Sequence, residues 1–313
     1  MKNNSFLTRT ISGITLVAVL LLVGLLGGML LLAFCVLVSA VGTFEMYKAT
    51  GVYNSEAQSK TDNTFAIVGV VLSTLYFIAN ALLSPILMIF TPVKSLVSGT
   101  FFEMFESMDM LKTLQMLEHF ASIVIYVVVA FIVFAGIYVF TFPRFDFKKF
   151  SFAIVGALYT PVFMTFVYLI YYLSNGKFVF WLIFISSWIC DTCAYLVGSS
   201  IGKHRLAPVL SPKKSIEGAI GGVIGSALVG FVFGYFIEYT AFGGENNAVA
   251  YVIICSVCAV ISQIGDLFAS AIKRNFDIKD YGKIIPGHGG ILDRFDSVIF
   301  IAPVVYMLAL LFI

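Results

Sequence analysis

The stretch TISGITLVAVLLLVGLLGGMLLLAFCVLVSAVGTF, Thr10 to Phe44, runs for 35 residues without a charge and decides the fold class. As one helix rising about 1.5 Å per residue it would be roughly 52 Å long, against a hydrocarbon layer of about 30 Å. Gly27-Gly28 lies near its middle, where the missing side chains permit a break. The stretch therefore reads as two short membrane spans. The rest of the chain agrees: 60% of its residues are hydrophobic and 12% charged, against about a quarter charged in soluble domains.

Further apolar runs fall at Thr64–Leu83, Phe120–Thr141, Ser151–Leu173, Phe178–Ser199, Glu217–Tyr239, Val249–Ile272 and Ser297–Ile313. The expectation is an all-α integral membrane protein of about nine transmembrane helices. Alternating crossings place Lys94, Lys112 and Lys177 on one side and the other sixteen of the 19 Lys and Arg residues on the opposite side. Basic residues crowd the cytoplasmic face, so the N-terminus is read as cytoplasmic and the C-terminus as outside. Merging the first two spans would move Lys2 and Arg9 across and blur that split. No small-residue cleavage site follows the N-terminal run, so no removable signal peptide is expected. The location read from this is the plasma (inner) membrane, multi-pass, with the active site facing the cytoplasm.

A net charge of +2 leaves no electrostatic footprint for nucleic acid. Cys190/Cys193 and Cys255/Cys258 form two C-x-x-C pairs, each on one helical face, and Cys35 is alone. Their apolar neighbourhoods lack the polar outer shell a zinc thiolate needs, so they read as buried packing residues. Residues 101–118 alternate Phe101, Phe105, Met108, Leu111, Leu114 and Leu117 with charged positions, the pattern of an interfacial amphipathic helix near 100–118. It reads as a passive surface helix rather than a lid or dimer contact.

Most polar residues within spans follow Ser186, which divides the chain into residues 1–175, a transmembrane scaffold, and 176–313, the chemical region. The latter carries cytoplasmic loops at 200–216 and 273–296. Gly198 to Gly202 fits G-x-S-x-G but ends an apolar helix, without the strand before it that a nucleophile elbow requires. Gly198 to Lys203 has one residue too few for a phosphate loop, and His204 replaces the metal-binding Ser or Thr.

Asp191 lies within an apolar helix, with Ser187 four residues before it and Tyr195 four after, so the spacing puts all three on one face. Ser211-Pro212-Lys213-Lys214-Ser215-Ile216-Glu217-Gly218 reads as a helix start with Ser211 as cap, bringing two lysines to free amides that attract anions. Gln263, Asp266, Ser270 and Lys273 share a polar face, with Asp266 roughly 10 Å along the helix from Lys273, at headgroup depth. A dense run then follows: Arg274, Asp277, Lys279, Asp280, Gly282, Lys283, Pro286-Gly287-His288-Gly289-Gly290 and Asp293-Arg294-Phe295-Asp296. It combines phosphate-neutralising cations, glycines that admit a ligand to the backbone, and hard oxygen donors suited to magnesium.

The segment Ser270–Asp296 resembles the signature of the phosphatidate cytidylyltransferase (CDP-diacylglycerol synthase) family, and the blocks at Asp191–Tyr195 and Ser211–Gly218 are similar to that family's. The resemblance covers the C-terminal third to half; residues 1–180 match only in hydropathy. It implies transfer of the cytidylyl group of CTP to phosphatidic acid, giving CDP-diacylglycerol and pyrophosphate, by metal-assisted in-line attack at the α-phosphorus. It further implies Asp266 and Asp293 as the metal centre, with Asp191 and Asp296 as further metal candidates. Lys273, Arg294 and His288 are the other catalytic candidates. Substrate binding is expected from Lys213, Lys214, Ser215, Glu217, Arg274, Lys279, Gly289, Gly290 and Tyr195. Mg2+ is the expected cofactor, with room for a second ion such as K+. CTP, phosphatidic acid and the bilayer are the expected partners, with a homodimer allowed and nucleic acid excluded. The rival readings are a CTP-dependent polyprenol or phytol kinase, and a secondary transporter.

Overall fold

The protein is described by a computed structural model. It covers the backbone at residues 2–54, 63–89, 110–173, 175–241 and 248–313, and side chains at 7–54, 63–80, 119–173, 175–237 and 248–313. The first part of the expected amphipathic helix, up to residue 109, lies outside the described residues, as do all its side chains. From Met110 the helix is continuous with the span that follows, so this part is not a separate element.

Among the described residues, the helices are α1 (Lys2–Leu26), α2 (Gly28–Ala49), α3 (Thr64–Ile89), α4 (Met110–Thr141) and α5 (Phe147–Tyr171). Then come α6 (Gly176–Phe184), a π turn (Ile185–Ile189), α7 (Cys190–Ile201), α8 (Ile216–Ala241), α9 (Ala248–Asn275) and α10 (Leu292–Phe312). Counting α6 to α7 as one rod, eight helices among the described residues are long and apolar enough to cross a membrane, and α3 is a shorter apolar ninth over Thr64–Asn80. The chain is an all-α multi-pass membrane protein. Its exposed apolar side chains, such as Leu7, Ile14, Ile125, Ile132, Leu228 and Val232, form the surface that lipid would cover.

The break between α1 and α2 falls where the glycines put it. Gly27 has φ +59°, and a Cβ there would collide with the ring of Tyr171, so both backbone and packing require glycine. The glycines of α8 bring it close to two partners. A Cβ at Gly222 would lie 2.9 Å from Cys190 Sγ on α7, and one at Gly230 would lie 2.6 Å from Cys255 Sγ on α9. The cysteines are free, and these three helices pack through thiol on glycine. A second, larger core joins α2, α3, α5, α6, α9 and α10.

Two local expectations need correction. Ser211–Ser215 is not a helix start but β2, paired antiparallel with β1 (Arg205–Ala207). α8 begins at Ile216, and the Ser215 hydroxyl accepts from the Gly218 amide as its cap. Pro212 suits the edge of a two-stranded ribbon as well as a first helical turn, so the local signal was ambiguous. Ser187, Asp191 and Tyr195 do not share a face either. The wider π turn rotates what precedes it: Ser187 is buried against the hydroxyl of Ser297 at 2.7 Å, while Asp191 and Tyr195 are exposed.

Candidate active site

One end of the bundle gathers the N-terminal part of α1, the end of α2, the start of α5, the β1–β2 ribbon, the end of α9 and the start of α10. Ser12 on α1 bonds to the Pro286 carbonyl, Glu45 on α2 to the start of α10, and Lys148 on α5 lies 4.7 Å from the ring centroid of Phe276.

Asp293 organises this end. Its Oδ1 accepts from the Lys273 ammonium at 2.9 Å, and its Oδ2 accepts from the backbone amides of Tyr281 at 2.8 Å and Gly290 at 3.0 Å. The pair is shielded, with the Lys273 side chain 12% and the Asp293 side chain 2% exposed. Lys273 also stands 4.0 Å from Asp296 Oδ2, while Asp296 Oδ1 accepts from the Ser297 amide at 2.8 Å. The loop between α9 and α10 is therefore folded around one carboxylate. Tyr281 anchors it from below: its hydroxyl donates to the Ala269 carbonyl at 3.1 Å. Burial, then the charges of Asp296 and Asp293, push the Tyr281 phenol above its ordinary range, so it stays neutral.

Asp266 is held differently. Its Oδ2 meets the Lys214 ammonium at 2.5 Å, in a pair whose side chains are 26% and 30% exposed, and no backbone donor reaches it among the described residues. On β2, Lys214 is half-buried beside Asp266 while Lys213 is exposed. Asp266 lies within electrostatic reach of both Asp191 and Asp296, and Asp191 carries no hydrogen bond or ion pair among the described residues. No three His, Cys, Asp or Glu side chains among the described residues stand close enough to hold an ion as they are. The donor set still suits a hard cation: Asp191 and Asp266 keep oxygens that no backbone amide occupies, whereas both oxygens of Asp293 are taken by protein donors.

Beside the carboxylates lies a cavity of about 600 Å³ lined by Arg9, Lys279, Asp280, Gly282, Lys283, Ile285, Gly287, His288, Gly289 and Arg294. A Cβ at Gly289, whose φ is +90°, would stand 3.0 Å from Asp293 Oδ2, so the cavity wall rests directly on the organising carboxylate. The His288 ring is fixed by the Ser12 hydroxyl, 2.8 Å from Nδ1, and its carbonyl accepts from Arg294 Nε at 2.9 Å. Burial, followed by the charges of Arg294 and Arg9, lowers the His288 pKa, which favours the neutral imidazole.

Of the other expected binding residues, Gly290 donates to Asp293 and Lys279 and Gly289 line the cavity. Ser215 caps α8, and Glu217 is engaged by His204 at 2.6 Å, closing the ribbon. Arg274 is exposed and reaches the Ile278 carbonyl, and Tyr195 is 74% exposed; neither lines the cavity.

The residues missed from sequence come from the first half. Glu45, 2% exposed, accepts from the amides of Ile291 at 3.2 Å and Leu292 at 2.8 Å, placing an anion at the start of α10. A Cβ at Gly290 would collide with that carboxylate. The signal was available, because an acidic residue at the end of a long apolar helix is unfavourable unless paired. Arg9 and Ser12 carried no comparable signal.

The sequence profile described as the cytidylyltransferase family matches residues 7–312. The chain is also 39% identical over 165 residues to the phosphatidate cytidylyltransferase of Staphylococcus haemolyticus (strain JCSC1435). It is 40% identical over 166 residues to that of Staphylococcus saprophyticus subsp. saprophyticus. Each match covers 53% of this chain and 61% of the relative. With carboxylates, cations and glycine loop assembled at one end of the bundle and the profile spanning nearly its whole length, the chain belongs to the cytidylyltransferase family.

Proposed function

We propose that this chain transfers the cytidylyl group of CTP to phosphatidic acid, giving CDP-diacylglycerol and pyrophosphate. The observation that carries the reading is the junction of two features: the Asp191, Asp266 and Asp296 carboxylates with Lys214 and Lys273, and a cationic cavity whose Arg294 acts on Asp191 and whose Gly289 lies against Asp293, the partner of Lys273. Both substrates are polyanions, so the main barrier to bringing them together is electrostatic. A phosphate oxygen of phosphatidic acid is already ionised and attacks the α-phosphorus directly. The new P–O bond forms as the bond to the β-phosphate oxygen breaks, and pyrophosphate leaves with that electron pair. No protein nucleophile is required, and positioning with charge neutralisation supplies the catalysis.

In this reading the cavity cations hold the polyphosphate, and Lys214 and Lys273 neutralise charge near the reacting phosphorus. Asp266, with Asp191 and Asp296 drawn toward it, would hold a divalent ion, which would supply Lewis-acid stabilisation of charge on the phosphoryl oxygens. Asp293 is assigned mainly to holding Lys273 and the loop, since protein donors fill its oxygens. The region 176–313 carries most of the chemistry, the scaffold 1–175 adds anchors and the cavity residue Arg9, and the site end faces the cytoplasm, as the basic residues at this end support.

The test is reactant dependence. Purified full-length protein should release pyrophosphate only when CTP, phosphatidic acid and Mg2+ are all present, in one-to-one ratio with CDP-diacylglycerol. Release of CDP with a newly phosphorylated lipid would replace this reading with a lipid kinase.

A further inference from the structure

We propose that Arg9, on the first transmembrane helix, is a substrate-binding residue for the β- and γ-phosphate end of the nucleotide, and so for the pyrophosphate product. The inference rests on the cytidylyl-transfer reading and adds to it a residue from the opposite end of the chain.

Four cations, Arg9, Lys279, Lys283 and Arg294, line one cavity of about 600 Å³, faced by a single carboxylate, Asp280. None of the four makes a carboxylate ion pair among the described residues, unlike Lys214 and Lys273 a short distance away. Four like charges round one concave space repel each other unless an anion of several charges occupies it, and a diphosphate has that charge and size. A volume of this order suits a small ligand group.

Arg9 is built into the site rather than drifting over it. Its Cγ lies 2.6 Å from where a Cβ on Gly287 would be, so a side chain at position 287 would displace the arginine stem. Gly287 has φ +78°, which favours glycine independently. One turn further along α1, the Ser12 hydroxyl lies 2.9 Å from the Pro286 carbonyl and 2.8 Å from His288 Nδ1, so two polar contacts fix the register of α1 against the loop. Elsewhere α1 touches mainly α2 and α6.

The test compares the full-length wild type with Arg9→Met, which keeps the stem over Gly287 and removes only the guanidinium, and with Arg9→Lys. Lys177→Ala, at the opposite end of the bundle, is the control. Binding of Mg2+-pyrophosphate is measured by calorimetry without lipid, and KM is measured separately for CTP and phosphatidic acid. Loss of a charge-assisted bidentate contact predicts that Arg9→Met weakens pyrophosphate binding and raises KM for CTP by about tenfold or more. KM for phosphatidic acid should stay within about twofold, and Arg9→Lys should fall between. Unchanged pyrophosphate binding would overturn the proposal. So would a loss confined to KM for phosphatidic acid, which would make the lipid headgroup the occupant. Arg9-dependent pyrophosphate binding in a chain that transfers a γ-phosphate would support the site while refuting the cytidylyl reading, so the two can fail separately.

Discussion

Asp266 and Asp293 have the same side chain and lie at the same end of the bundle, yet replacing each with Asn should fail in different ways. Asp293→Asn removes the partner of the Lys273 ammonium, 12% exposed, and leaves one oxygen where two served three donors. Stranding one member of a shielded ion pair costs about 3–5 kcal/mol. At about 2 °C per kcal/mol this lowers the thermal midpoint by roughly 6–10 °C. Asp266→Asn breaks a pair whose members are 26% and 30% exposed. Such a pair contributes only about 0–1 kcal/mol, so the midpoint should move by no more than about 2 °C. Its turnover should nonetheless fall about 10²-fold or more, because a metal-holding charge is lost, and each 1.36 kcal/mol of transition-state stabilisation is about tenfold. The assay is thermal unfolding in detergent alongside turnover at saturating CTP across a magnesium titration. Equal midpoint losses in the two variants would refute the division of labour. So would an Asp266→Asn enzyme that keeps more than about a tenth of normal turnover.

Three further outcomes are expected. Glu45→Gln keeps the shape but removes the charge at the start of α10; it should destabilise by about 1–3 kcal/mol and lower turnover, read by unfolding and activity together. His288 has its pKa lowered, so the unfolded chain binds the extra proton more readily: its contribution to loop stability is complete above about pH 6.5 and is lost as pH falls through the folded value. The midpoint of His288→Gln should accordingly fall less on acidification than that of wild type. Cysteines introduced at Lys149 and Lys283 should be shielded from an impermeant thiol reagent in intact cells while one at Lys112 reacts; labelling of all three would refute the orientation.

The spans were legible because membrane crossing is a local requirement: a helix must be apolar over about 20 residues wherever it lies, and charge-free runs record that directly. Gly27-Gly28 was legible for the same reason, since its break follows from length alone. The π turn at Ile185–Ile189 was not, because nothing in ISSWI distinguishes a wider turn from an ordinary one. Ser211–Ser215 was misread because its pairing partner, Arg205–Ala207, sets its conformation. The acidic, basic and glycine residues of 266–296 were legible as a chemical cluster through their density. Which carboxylate is committed to the fold was not, since it depends on the Tyr281 and Gly290 amides reaching Asp293 across a loop. Glu45 and Arg9 lie hundreds of residues from their partners, and the division at residue 175 concealed them.

The central claim is that the nucleotide is cleaved between its α- and β-phosphates. Purified protein incubated with phosphatidic acid, Mg2+ and CTP labelled at either the α- or the γ-phosphate tests it directly. The account predicts that α-label enters the lipid fraction and γ-label leaves as pyrophosphate. Entry of γ-label into lipid, with α-label remaining in CDP, would contradict it.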